Sequence, residues 1–264
     1  MSNSTQNSPS YVLAVIQCLV VALCCFSANL SLAQSLPELV KKIKPSIVGV
    51  GTYIPTRRPQ QSILGTGFVV AGGRYIITNN HVVPELDFTK KEQLTVISGT
   101  GKKAKVHAVD IIAQDKINDL ALLRLKKSSL ASTQLSQSKQ VEEGTSIFFI
   151  GFPIGSVLGV YPVTHRGIIS AITPNVIPQD SASRLSPQMI RRLREPFGVF
   201  QLDATAYPGN SGSPVFNEEG RVIGVVNKVL IKETKESILA KPSGITYAIP
   251  VHFVKALLKK AKVK

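Results

Sequence analysis

Apolar residues fall into short runs along this chain, separated by turn-forming residues. The runs lie at Ile47–Tyr53, Gly67–Val70, Tyr75–Thr78, Leu94–Ile97, Val106–Ile112, Leu120–Leu125, Ser146–Ile150, Gly167–Ile172, Val199–Leu202, Pro214–Phe216, Val222–Leu230 and Ile245–Ile249. They are rich in β-branched residues, and helices do not alternate with them. A dozen short strands of this kind predict antiparallel barrels or sandwiches, not a βαβ sheet. Both ends read as helices. Leu36, Leu39, Val40 and Ile43 share one face of Leu36–Lys44, and Pro45 stops it. Val251–Lys262 closes the chain as a basic amphipathic helix. The less hydrophobic stretch Lys126–Thr145 predicts a joint between two halves. No repeat at a solenoid period is present.

The first stretch reads differently. Residues 1–33 carry no charged side chain, and Tyr11–Phe26 is apolar apart from Gln17. Ser31-Leu32-Ala33 offers small residues where a signal peptidase cuts. The expectation is a secretory signal peptide at residues 1–33, followed by a mature region at residues 34–264. The n-region lacks Lys or Arg, and Lys41, Lys42 and Lys44 follow the apolar run. An uncleaved membrane anchor over residues 11–33 is therefore the alternative.

Composition narrows the class. Hydrophobic residues make up 44% of the chain, enough for a core, which excludes a disordered polyelectrolyte. Its three cysteines all fall in the leader, so no disulfide framework is expected. No His/Cys spacing fits zinc, and no metal or other cofactor is expected. The 31 Lys+Arg against 16 Asp+Glu give a formal net charge of +15. Such a surface suits acidic protein segments or an anionic envelope surface as partners. With 6% aromatic residues and no Trp, a specific nucleic-acid site is not expected.

Three separated motifs carry candidate chemistry. Gly209-Asn210-Ser211-Gly212-Ser213-Pro214 places a serine between glycines. A hydroxyl nucleophile needs that sharp turn and the room beside it. His81 follows the strong strand signal of Tyr75–Thr78 and has the pKa range of a base for serine. Asp119 heads the apolar run Leu120–Leu125, where burial demands a partner. An ordinary Gly/Ser/Pro turn, a surface histidine and an Asn-Asp turn are the plain alternatives, motif by motif. Together the order His81, Asp119, Ser211 is that of a chymotrypsin-type triad. His81 and Asp119 fall in the first half and Ser211 in the second, so two barrels with the site at their junction satisfy it.

The chain resembles the HtrA/Deg branch of trypsin-like serine proteases. The resemblance runs through Leu36–Val40, Gly65–Val69, Ile77–Val83, Asp119–Leu123, Ile150–Pro153, Pro208–Gly212 and Gly244–Pro250, in order. It implies an all-β fold of two antiparallel six-stranded barrels of chymotrypsin type, with short N-terminal and C-terminal helices. The expected boundaries are about 46–130 and 145–250 for the barrels and 251–262 for the helix. It implies His81 as base, Asp119 as orienting carboxylate, Ser211 as nucleophile, and backbone N–H groups of Gly209, Asn210 and Ser211 as oxyanion donors. Thr205, Tyr207, Val225 and Val226 are implied in the substrate pocket.

The activity so implied is endopeptidase action on unfolded or damaged proteins in the periplasm, with a homotrimer as the common assembly. A latent or silent protease-fold binding module is the alternative. The family usually carries PDZ domains, and none is expected in the dozen or so residues after Pro250. Ser213, Tyr207 and His165 depart from the family pattern. Thr205 stands where trypsin has the Asp that selects basic residues, so a small or aliphatic P1 is expected. Asn210 is neutral, so no ion pair with a new N-terminus is expected. The segment 174–197, with Arg191, Arg192 and Arg194 on a short helix capped by Ser186, matches the family's sensor loop. It is expected to gate the cleft or recruit acidic substrate regions.

Overall fold

The twelve predicted runs all become strands, and a thirteenth joins them. The computed structural model describes residue 17 and residues 35–138, 140–153, 159–174, 197–227 and 245–263. The leader, apart from a helical and exposed Gln17, lies outside the described residues. So do residues 175–196, with the expected short helix, and residues 228–230 at the end of one predicted strand. Residues 1–35 separate from the rest as their own unit, and the fold below is that of residues 36–264.

Six strands close the first barrel: β1 (Ile47–Tyr53), β2 (Gln61–Val70), β3 (Tyr75–Thr78), β4 (Gln93–Ser98), β5 (Lys105–Asp115) and β6 (Leu120–Leu125). Their order is β1-β2-β3-β6-β5-β4, and β1 pairs with β4 to close it. After β7 (Gln134–Leu135) come β8 (Ser146–Gly151), β9 (Val163–Pro174), β10 (Gly198–Asp203), β11 (Pro214–Phe216), β12 (Arg221–Asn227) and β13 (Ile245–Pro250). These run in the order β11-β8-β9-β10-β13-β12, and the β11–β12 pairing closes a second antiparallel barrel of six. Closure leaves neither barrel an open edge to satisfy.

Alternation explains why the strands read as nearly continuous apolar runs. Val48, Val50, Val69, Ile76, Val96, Leu123 and Leu125 fill the first barrel. Ile147, Phe149, Ile169, Leu202, Val215 and Val226 fill the second. The intervening residues face a third cluster, where Ile47, Phe68, Ile77, Leu120 and Leu122 meet Phe148, Ile150, Phe216 and Val225. Strands β1 and β6 are thus buried on both faces, one inside a barrel and one at the barrel–barrel junction.

Two helices cap that third cluster. Helix α1 (Leu36–Ile43) contributes Leu39 and Ile43, and α2 (Val251–Lys260) contributes Val251, Val254 and Leu257. Leu257 is only 3% exposed. Replacing it with alanine is expected to cost about 2–5 kcal/mol, because a cavity is left as well as lost burial. Urea denaturation checks this, and an unchanged midpoint would show that α2 is dispensable for the fold.

Strands β5 and β9 run longer than expected at both ends, and two further assignments differ in kind. Strand β2 begins at Gln61, six residues before the predicted start. Gly65, Thr66 and Gly67 dilute the β signal, yet the barrel needs the glycines. A Cβ on Gly67 would lie 2.8 Å from Ile76 Cγ2. Strand β7 falls in the predicted joint; it pairs in parallel with Arg221 and Val222 of β12, too briefly to leave a periodic signal.

Candidate active site

Strand pairing brings the first two motifs together. Strands β3 and β6 are neighbours, with Thr78 opposite Ala121. The chain leaving β3 and the chain entering β6 therefore meet at one end of the first barrel. Asn79–Val83 turns sharply there, with Val82 and Val83 N–H donating to the carbonyls of Asn79 and Asn80. Asp119 takes a left-handed backbone conformation at φ 53°, which its short polar side chain tolerates. Its carbonyl accepts from Asn79 Nδ2 at 3.0 Å and from Asn80 N–H at 3.1 Å.

The carboxylate of Asp119 is fully engaged. Oδ1 accepts the backbone N–H of His81 at 2.9 Å. Oδ2 lies 2.6 Å from His81 Nδ1 and accepts from Asn227 Nδ2 at 2.9 Å. An ionised carboxylate only accepts, so the proton between it and His81 sits on Nδ1 when the ring is neutral. That assignment leaves Nε2 as the basic nitrogen, on a side chain that is 33% exposed. Asn227 comes from β12, so the second barrel helps to hold the pair. Sequence reading missed Asn227, whose only signal is a polar residue inside the apolar run Val222–Leu230.

The third motif is shaped by Pro208 and Gly209. Proline at the second position and glycine at φ +98° at the third mark a type II turn over Tyr207–Asn210. The Asn210 N–H closes it on the Tyr207 carbonyl at 3.0 Å. Of the three expected oxyanion donors, Asn210 is thus engaged within the turn. The N–H groups of Gly209 and Ser211 have no acceptor among the described residues. Gly212 follows at φ +86°, and a Cβ there would sit 2.0 Å from the Thr66 carbonyl oxygen. Ser211 is 6% exposed, and its carbonyl accepts Thr66 N–H at 2.8 Å. No hydrogen bond joins its hydroxyl to His81 among the described residues.

The expected pocket residues do not all gather. Val226 packs inside the second barrel with Ala204 and Ala206, the neighbours of Thr205. Val225 points to the opposite face of β12, into the cluster with Phe216 and Val254. Alternation along a strand forbids both from lining one pocket. Thr205 and Tyr207 are half-buried.

Behind the Tyr207–Asn210 turn, His165 stacks on Phe149 with ring centroids 4.6 Å apart. Its Nε2 lies 3.4 Å from Asn210 Nδ2, while Asn210 Oδ1 and Ser213 Oγ are buried without a partner. Burial pushes the His165 imidazole below its ordinary pKa. Burial and Lys105 do the same to His107, and burial and Lys255 to His252. The unfolded chain therefore takes up protons first as pH falls below about 6.5. Stability present above that pH is lost as pH falls from there through the lowered folded-state values. Urea midpoints are expected to fall between about pH 7.5 and about pH 5. His165→Phe, which keeps the stacking, is expected to flatten the slope; an unaltered slope would remove His165 from this role.

Comparison with known proteins agrees with this geometry. The family model for a trypsin-like peptidase domain matches residues 65–225, which hold all three motifs. A probable periplasmic serine endoprotease, DegP-like, of Marinomonas sp. (strain MWYL1) is 30% identical over 200 residues, covering 76% of this chain and 36% of that protein. The serine protease Do-like HtrA of Bacillus subtilis (strain 168) is 26% identical over 242 residues, covering 85% and 48%. The chain thus spans between a third and a half of these relatives. Among solved structures, Deg5 superposes with a TM-score of 0.57 at 25% identity, covering 83% of this chain and 89% of that one. The serine endoprotease from Yersinia pestis has the same fold, with a TM-score of 0.60 at 22% identity over 86% of this chain and 66% of that one. The described double barrel, with its His–Asp pair at the junction, is therefore that of the matched family: this chain belongs to the trypsin-like peptidases, as an HtrA-like member.

Proposed function

We propose that this chain is an exported serine endopeptidase of HtrA/Deg type that hydrolyses unfolded or damaged proteins. The observation that carries the reading is the 2.6 Å contact of His81 Nδ1 with Asp119, locked from the second barrel by Asn227. It leaves Nε2 as a base beside the barrel that carries Ser211.

In this mechanism Ser211 Oγ attacks the scissile carbonyl carbon as His81 Nε2 takes its proton. Asp119 stabilises the imidazolium so formed. The carbonyl oxygen becomes an oxyanion on the Gly209 and Ser211 N–H groups. His81 then returns the proton to the leaving amine, and water repeats the sequence to free Ser211. Thr205 brings no carboxylate to the pocket, and Val226 packs beside it, so P1 is small or aliphatic. Export agrees with the apolar leader and with the periplasmic relatives. Unfolded chains with acidic segments suit the +15 charge, and a homotrimer is the expected assembly.

A latent or silent protease-fold module is the second reading, favoured by the missing Ser211–His81 hydrogen bond among the described residues. Digestion of reduced casein by residues 34–264 tests both. Cleavage mainly after Val, Ala or Leu is expected; cleavage after Lys or Arg would refute the pocket assignment. No cleavage, with no reaction with a fluorophosphonate, would favour the silent module.

A further inference from the structure

Thr66 lies on β2 of the first barrel, is fully buried, and uses every polar group it has. Its backbone N–H donates to the Ser211 carbonyl at 2.8 Å. Its own carbonyl accepts from Thr78 Oγ1 at 2.7 Å. Its hydroxyl accepts the Phe152 N–H at 2.9 Å and donates to the Gly209 carbonyl at 2.8 Å. Because Phe152 supplies the donor, the hydroxyl proton has one place to go, the Gly209 oxygen. We propose that Thr66 is a positioning residue that sets the oxyanion-binding turn across the barrel junction. The inference rests on the reading of Ser211 as nucleophile.

One peptide group explains how. The Gly209–Asn210 peptide is held at both ends, its C=O by the Thr66 hydroxyl and its N–H by the Tyr207 carbonyl at 3.0 Å. With that plane fixed, the N–H groups on either side, of Gly209 and Ser211, keep one orientation. The next bond out, Thr66 N–H to the Ser211 carbonyl, fixes the far side of the nucleophile. The turn belongs to the second barrel, so only a residue of the first barrel anchored in its own sheet supplies an independent reference. Thr78 is that anchor. Gly151 closes the other side: a Cβ there would lie 3.0 Å from Thr66 Oγ1 and 2.1 Å from Ser213 Oγ. A misplacement near 1 Å at such a site costs on the order of a hundredfold in rate.

The test separates positioning from packing. Thr66→Val keeps the shape and both backbone bonds but removes the hydroxyl; Thr66→Ser keeps the hydroxyl. Hydrolysis of a peptide amide with valine at P1 is followed for kcat and KM, with melting curves to establish folding. The valine variant is expected to lose about 10- to 100-fold in kcat with KM within about twofold. The serine variant is expected to stay within about threefold of the parent. Should valine prevent folding, Thr66→Ala reads the same loss. A valine variant with kcat within about twofold of the parent overturns the inference. So does a serine variant as impaired as valine, or a loss confined to KM. A parent protein that neither hydrolyses the peptide nor reacts with a fluorophosphonate overturns the reading of Ser211 itself, a result distinct from any Thr66 outcome.

Discussion

Ser211→Ala is expected to lower kcat/KM for casein or a peptide amide by about 10⁴-fold or more, while leaving the fold intact. The backbone explains why the two effects separate. The turn is set by Pro208, by Gly209 at φ +98° and by Gly212 at φ +86°, not by the serine side chain. The Ser211 main chain is held by its carbonyl bond to Thr66 N–H at 2.8 Å, which alanine also makes. The hydroxyl makes no bond among the described residues, so its removal leaves no buried group without a partner. The loss is therefore chemical. Without a nucleophile no acyl-enzyme forms, and the remaining donors assist only direct attack by water. Progress curves and fluorophosphonate labelling measure it. Residual cleavage above about 1% of the parent would assign the activity to another residue or a contaminant.

Asp119→Asn is expected to reduce kcat by about 10⁴-fold at neutral pH. Oδ2 takes two donors, His81 Nδ1 and Asn227 Nδ2, and Oδ1 takes the His81 N–H. An asparagine has one acceptor oxygen and one NH₂. With the NH₂ at the Oδ2 position, it donates to Nδ1 and drives the proton to Nε2. The ring then faces Ser211 as a donor and is no longer a base. The same NH₂ also meets the Asn227 amide, donor against donor. With the amide reversed, the NH₂ opposes the His81 N–H instead, and the turn Asn79–Val83 loses its anchor. Either arrangement damages the site. The left-handed φ of 53° at this position is tolerated by asparagine, so the backbone adds little to the effect. Steady-state kinetics over a pH series checks this. A variant within about tenfold of the parent would show that His81 keeps its tautomer without the carboxylate.

The strands were legible because each barrel strand alternates between two apolar environments. Val48 and Val50 face the barrel interior and Ile47 faces the junction, so β1 reads as an unbroken apolar run. The ends of β3 and β6 were legible for the same reason, and they locate His81 and Asp119. The motif Pro208–Gly212 was legible because proline and glycine fix a turn by local sterics alone. The start of β2 was hidden, since Gly65 and Gly67 carry no side chain to signal a strand. They are glycines because β2 passes tightly against Val82, Ile76 and the Ser211 carbonyl. Strand β7 was hidden because two residues hold no period.

The chain order of its residues by itself determined the fold class, the two-barrel division and the three residues of the candidate triad. The strands and turns follow from local periodicity and turn chemistry, which need no knowledge of distant neighbours; the two barrels and the roles of the three residues are what the triad order and the family resemblance implied. Only the tertiary structure decided that Asn227 holds Asp119, that Thr66 reaches the Gly209 carbonyl, and that Val225 faces the barrel junction while Val226 faces the barrel interior. Each is a contact between residues far apart in the chain, or a choice between two faces of one strand. Hydrogen bonds act only within about 3 Å, and nothing in a one-dimensional pattern sets such distances. The closure of two barrels and the packing between them set those distances.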